Sequence, residues 1–288
     1  MSVGEVRATE HEAVLLATKL LQRARRADPH AGLWEAADVQ WWWRTPRRSD
    51  DVEKLFWVDE EGPIAGVLIT SWPDGAWQCD PVVVPGAPDP EPGVVWTRAI
   101  EYGASHSEKG FEVPVSDDDR TFTELAQRSG LIPGRQDFTA WMDAADRPTV
   151  LALPPGFELF DRTQRRDTPH PLRRRNGDGV VQRLDQCPLY DPALDLAVET
   201  SEGQVAGYSL YWFDPTTNVG LVEPVRVEDE FRRRGLARTM LCTGIDRLIE
   251  RGAQRVKISY ETDAAAALYQ GVGFRPTSTA TWYRAVSN

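Results

Sequence analysis

The residues with the clearest chemical content are Arg232-Arg233-Arg234-Gly235-Leu236-Ala237, set between an apolar, strand-like run from Val219 to Val227 and an amphipathic, helix-like run from Arg238 to Arg251. A strand that turns through glycine into a helix can hold an anion. The first backbone N–H groups of a helix have no intrahelical acceptor, and the aligned peptide dipoles add partial positive charge at the same end. Gly235 lets the backbone approach a pyrophosphate where a Cβ would intervene, and Ala237 keeps the next turn small. Arg232, Arg233 and Arg234 add positive charge. The expected donors are the N–H groups of residues 233–238, with a further hydroxyl from Thr239. The alternative is a basic helix start that is merely solvated.

Two other nucleotide loops are excluded by spacing. A P-loop needs Gly-Lys-Ser/Thr after four intervening residues, and a dinucleotide turn needs three glycines and a later acidic residue; neither is present. The spacing Arg232-x-x-Gly235-x-Ala237 instead resembles the acetyl-coenzyme A signature of the GNAT acyltransferase superfamily. A second pattern resembles the same superfamily: Arg255 to Glu261 reads as a strand, and Leu268-Tyr269-x-x-x-Gly273-Phe274 follows a short alanine-rich helix.

The resemblance implies roles for particular residues. Tyr269 would point its hydroxyl at the coenzyme sulfur and protonate the departing thiolate. A phenol of pKa about 10 suits a thiolate of pKa about 8.5. The alternative is an aromatic packed at a helix end. Where the superfamily often has asparagine, seven residues before the tyrosine, this chain has Thr262 beside Asp263. The strand Gly220–Val227 would splay from its neighbour and offer the backbone of Val225, Arg226 and Val227 to the pantetheine arm. Leu236, Ala237 and Arg238 belong to the same coenzyme-binding stretch. Glu223 would be the base that takes a proton from an amine, directly or through water, once partial burial raises its pKa. The alternative is a salt-bridged or surface glutamate.

These elements recur upstream. Asp80-Pro81-Val82-Val83-Val84 matches Glu223-Pro224-Val225-Arg226-Val227, and Leu125–Leu131 matches Leu268–Phe274, each at a spacing of 143 residues. Gly62-Pro63-Ile64-Ala65-Gly66 matches Gly203-Gln204-Val205-Ala206-Gly207 at a spacing of 141. Nearly constant spacing argues for an internal duplication. The copies differ where chemistry would sit. The first has Pro85-Gly86-Ala87-Pro88-Asp89-Pro90-Glu91-Pro92-Gly93 in place of the basic loop, and Ala126 in place of the tyrosine. Prolines remove backbone donors and the two acids repel an anion. The shared acidic position, Asp80 and Glu223, also admits a structural role.

The expected fold is α/β: two GNAT-like domains in tandem, each a mixed, mainly antiparallel sheet flanked by helices. Residues 1–148 form a degenerate copy without the coenzyme loop, and residues 155–288 form the copy with the acetyl-CoA motif. Asp146 to Gly156, rich in proline and glycine, reads as the linker. In the first copy, residues 11–27 read as a helix, and Lys54–Val58 and Ile64–Trp72 as a hairpin; Leu194–Glu199 and Val205–Phe213 are the second hairpin. Trp41-Trp42-Trp43 cannot all face one core, so at least one would line a pocket or the contact between domains; plain cover of exposed rings by the second domain is the alternative and the favoured expectation.

Composition is that of a soluble enzyme: 41% apolar residues, 11 tryptophans and a formal charge of -11. The charge excludes nucleic acid as main partner, and the basic stretches Arg165-Arg166 and Arg173-Arg174-Arg175 have no interleaved aromatics. No apolar run is long enough to span a membrane and no signal peptide is seen. Three scattered cysteines and four scattered histidines point to a reducing cytoplasm and no metal site; Cys242 reads as a packed small residue. An acidic surface would suit a cationic acceptor, and the resemblance implies transfer of an acetyl group from acetyl-CoA to the amine of a small-molecule acceptor by direct attack. It is similar to the mycothiol-synthase-like two-domain layout, and the chain would be a monomer or homodimer. A non-catalytic coenzyme A binder, a different acyl donor and a hydroxyl acceptor are the alternatives.

Overall fold

The computed structural model describes residues 3–107 and 110–285. In chain order the elements are β1 (Gly4–Ala8), α1 (Glu10–Ala27), α2 (Ala36–Trp43), β2 (Lys54–Asp59), β3 (Gly62–Ser71), β4 (Trp77–Val83), α3 (Pro92–His106), β5 (Glu112–Ser116), α4 (Arg120–Arg128) and β6 (Ile132–Asp143). There follow β7 (Phe157–Asp161), α5 (Arg173–Asn176), α6 (Val180–Asp185), β8 (Asp195–Thr200), β9 (Val205–Asp214), β10 (Val219–Val227), α7 (Leu236–Glu250), β11 (Arg255–Tyr260), α8 (Asp263–Val272) and β12 (Arg275–Arg284). The fold is mixed α/β with mainly antiparallel sheet. By contact density there are two compact units: residues 1–138 with 278–288, and residues 139–277. The unit boundaries thus fall inside β6 and β12, which no local pattern announces.

In the first unit the strand order is β1-β2-β3-β4-β5-β12. The first four strands pair antiparallel. Strand β4 runs parallel to β5 but pairs with it only at Gln78 and Glu112, so the two diverge beyond that point. Helix α1 buries Ala13, Ala17, Leu20 and Leu21, spaced three and four apart, which is one face of a 3.6-residue helix. The tryptophan run lies on α2 and all three rings are buried. Each has a partner in its own unit. Trp41 lies beneath the Arg44 guanidinium, Trp42 packs edge-on against Trp34 and Trp72, and Trp43 lies beside His11. A helix surrounded by other first-unit aromatics buries rings pointing three ways.

In the second unit the order is β7-β8-β9-β10-β11-β6. Strands β7 to β10 are antiparallel and β10–β11 is parallel. The repeat is visible in the pairing: β2–β3 slips by one residue between Trp57 and Val58, and β8–β9 slips between Val198 and Glu199. The agreement stops at the strand that matters. Strand β10 slips against β9 between Val222 and Val225, whereas β4 pairs with β3 without interruption from Trp77 to Val83.

Helix α7 is laid directly on this sheet. It buries Leu236, Met240, Leu241, Ile245 and Leu248, each fully buried aliphatic side chain being worth about 2 kcal/mol gross. Its closest approach is at Gly244, where a Cβ would stand 2.1 Å from the Tyr211 ring. The Tyr211 hydroxyl donates to the Met240 carbonyl at 2.8 Å, which fixes the helix start over β9.

Candidate functional site

The helix expected from Arg238 begins two residues earlier, at Leu236, with Gly235 as its N-cap in the left-handed region (φ 81). That conformation is one an L side chain adopts only at a cost, which explains the glycine. No side chain caps this helix. The first helical bond runs from Thr239 N–H to Gly235 O. Among the described residues, the N–H groups of Arg233, Arg234, Gly235, Leu236, Ala237 and Arg238 meet no protein acceptor. Arg233 is also left-handed (φ 61). Left-handed residues alternating with right-handed ones turn successive N–H groups into a concavity suited to anions.

The arginines of this loop are not equivalent. Arg232 is ion-paired with Asp229 at 2.8 Å, both largely exposed, which lowers its free charge. Arg234 lies near the Phe157 and Phe231 rings and reaches the Glu230 carbonyl. Arg238 donates to the Gly271 carbonyl at 3.1 Å, tying the start of α7 to the end of α8. Arg233 is exposed and, among the described residues, has no side-chain partner. Thr239 is buried within the helix, and Leu236 is buried beneath it.

The strand leading in supplies an open edge. Pairing of β10 with β11 covers only Val219, Gly220 and Leu221. After the slip at Glu223 and Pro224, the strand is paired with β9 again from Val225 to Val227, while its other edge has left β11 after Leu221. Val225, Arg226 and Val227 are half-buried there. The Arg226 side chain points into a polar cluster, with Nε 3.7 Å from Glu228, whose carboxylate also accepts from Arg175 at 3.1 Å. Tyr208 adjoins this cluster, its phenol pushed up first by burial.

Glu223 sits in the slip of β10, and its carbonyl accepts from Trp212 Nε1 at 2.9 Å. Its carboxylate reaches the neighbourhood of Tyr269 on α8. Burial, and secondly that carboxylate, push the Tyr269 phenol well above its ordinary value. The ring is held by Tyr260 at 5.9 Å and Phe274 at 6.2 Å between centroids. Two residues distant in sequence thus lie within electrostatic reach of each other. Thr262, where asparagine is frequent in the resembled family, caps α8 by accepting from Ala265 N. Cys242 is buried and burial pushes its thiol up, which leaves it unreactive. Trp212 was not found by sequence reasoning; a buried tryptophan in a strand looks like any core aromatic, and only the fold reveals that its N–H holds the Glu223 carbonyl.

Residues 158–274 match the family model described as Acetyltransferase (GNAT) family. A mycothiol acetyltransferase of Clavibacter michiganensis subsp. michiganensis (strain NCPPB 382) is 31% identical over 117 residues, 40% of this chain and 38% of that protein. The chain therefore matches well under half the length of this curated relative. Among solved structures, a tandem GNAT protein from the clavulanic acid biosynthesis pathway has a TM-score of 0.68 at 16% identity, covering 100% of this chain and 99% of that one. A GCN5-related N-acetyltransferase from Sphaerobacter thermophilus has a TM-score of 0.59 at 17% identity, covering 98% and 95%. At these identities the structural likeness concerns the fold alone.

Proposed function

With residues 158–274 forming a GNAT acetyltransferase domain, we propose that the second unit transfers an acetyl group from acetyl-CoA to the amine of a small molecule by direct attack. The observation that carries this reading is the run of six backbone N–H groups without acceptors at residues 233–238, adjoining the unpaired edge of β10. The N–H run holds the coenzyme pyrophosphate, supported by Arg233, and the backbone of Val225 to Val227 holds the pantetheine arm as an added strand. The site thereby fixes the thioester beside Glu223.

Glu223 takes the amine proton and Tyr269 serves the sulfur. A phenol held above its usual range stays protonated at neutral pH, as an acid or hydrogen-bond donor must. Its raised value also makes full transfer to a thiolate of pKa about 8.5 uphill. The two residues ease this together. When Glu223 accepts the amine proton its negative charge disappears, one of the two causes that raise the phenol is removed, and Tyr269 becomes more acidic as the thiolate forms. Placement of the reactants supplies much of the rate, because a deprotonated amine is already a good nucleophile.

The first unit is inert toward the coenzyme in this reading. Its loop carries four prolines with Asp89 and Glu91, and α3 begins with Pro92 behind an uncapped Glu91. The experiment is a panel of small amines assayed for acceptor-dependent release of the coenzyme thiol. An accepted amine should show a kcat/KM that falls about 10²–10⁴-fold in Glu223→Gln. Binding of acetyl-CoA with no thiol release for any acceptor, amine or alcohol, would make the domain a binder instead.

A further inference from the structure

The acidic position shared by the two copies is put to different use in the first. Asp80 occupies on β4 the place that Glu223 has on β10, but it is 2% exposed. Its Oδ1 accepts from Trp34 Nε1 at 2.9 Å and from Gln78 Nε2 at 2.8 Å, and its Oδ2 from Gln78 Nε2 at 2.9 Å. Among the described residues no cation pairs with it. The nearby Arg25 is committed to Glu35, the two side chains being almost wholly buried against each other.

Asp80 lines a cavity of about 340 Å³ that opens where β4 and β5 diverge. Its walls are apolar, from Leu33, Pro81, Val82, Val115 and Phe122, and its other charged groups are Asp28, Asp119 and the neutralised Arg25. A buried carboxylate facing a cavity without a counter-charge is costly. Burial raises its pKa to about 7, with Asp38 of α2 adding to the effect and the donors Gln78 and Trp34 opposing it. The adjoining loop, with Asp89 and Glu91, repels phosphate.

We propose that this cavity of the first unit is a second ligand site, selective for a small molecule that carries a protonated amine on an apolar body, with Asp80 as the counter-charge. The ammonium occupies the free directions of the Asp80 carboxylate, and the apolar body lies along Val82, Val115 and Phe122. Trp34 and Gln78 hold the carboxylate in place, so little order is lost on binding. Asp28 and Asp119 add attraction at longer range. This assignment is independent of the coenzyme site and of the reaction proposed for the second unit.

The test uses the full chain carrying Glu223→Gln, so that the carboxylate of the second unit does not contribute. Phenethylamine is titrated against its neutral isostere 2-phenylethanol, by calorimetry and by the ¹H–¹⁵N resonance of the Trp34 indole, assigned with Trp34→Phe. The expected result is that the amine shifts the Trp34 indole, the alcohol at equal concentration does not, and a further Asp80→Asn change weakens amine binding roughly 10–100-fold. The indole reading stands even if the Asn variant folds poorly. Equal binding of alcohol and amine, an unmoved Trp34 resonance, or unchanged affinity in Asp80→Asn would each overturn the proposal.

Discussion

Replacing Gly235 by glutamate separates electrostatic from steric control of the loop. The ideal Cβ at this position meets nothing within 4 Å, so no clash arises. The left-handed backbone costs an L residue about 1 kcal/mol, while a carboxylate at a helix N-terminus returns about 0.3–1 kcal/mol. Folding stability should therefore stay within about 1 kcal/mol of the parent. Ligand binding should not. A carboxylate about 6 Å from one pyrophosphate charge, at an effective dielectric of about 20, costs about 3 kcal/mol. Water and salt around this exposed loop reduce that to about 1–2 kcal/mol, a rise in Kd of about 5–30-fold. Gly235→Gln carries the same backbone strain and nearly the same bulk without charge. Calorimetric titration of acetyl-CoA into the three proteins, at low and high salt, reads the difference. Equal losses in the Glu and Gln variants, or a Glu penalty indifferent to salt, would refute the argument that these N–H groups form an anion site.

Tyr269→Phe keeps the packing against Tyr260 and Phe274 but removes the proton; kcat should fall about 10²-fold while KM for acetyl-CoA changes less than about threefold, measured by thiol release. Asp80 makes stability depend on pH. Its folded pKa of about 7 exceeds the usual 3.8, so the folded chain holds a proton that the unfolded chain has lost, and stability falls as pH rises between these values. The full effect is about 4 kcal/mol, of which about 3 kcal/mol falls between pH 5 and pH 8; chemical denaturation of the ligand-free chain should show this loss in wild type and not in Asp80→Asn. Gly244→Ala forces a methyl into the Tyr211 ring and should cost about 1–3 kcal/mol or more, with release of the start of α7 and weaker acetyl-CoA binding, read by denaturation and calorimetry.

Much of the site was written locally. The turn at Gly235 is a local matter, because glycine, the residues beside it and the helix that follows determine which N–H groups are left without acceptors. Strand and helix periodicity likewise placed β2, β3, β8, β9, β10 and α1 within a residue or two of their observed bounds. The matched segments at near-constant spacing revealed the duplication, and the shared slips in β2–β3 and β8–β9 express it in hydrogen bonding.

What tertiary structure decided is everything that depends on which surfaces meet. The Glu223 carboxylate acts on Tyr269 because the fold brings the slip of β10 within electrostatic reach of α8, a proximity that no sequence spacing encodes. The unit boundaries fall within β6 and β12 rather than at the proline- and glycine-rich stretch, because compactness follows from which strands pair and not from local composition. Three adjacent tryptophans find three different neighbours because helix α2 is enclosed by its own unit. Asp80 and Glu223 read as the same acid at matching places in the two copies, yet the fold buries the first in the lining of a cavity without a counter-charge and leaves the second half-buried in a slip of β10. Residue type and backbone conformation are properties of a short stretch of chain, whereas desolvation and proximity belong to the folded molecule, and it is these that set what each carboxylate can do.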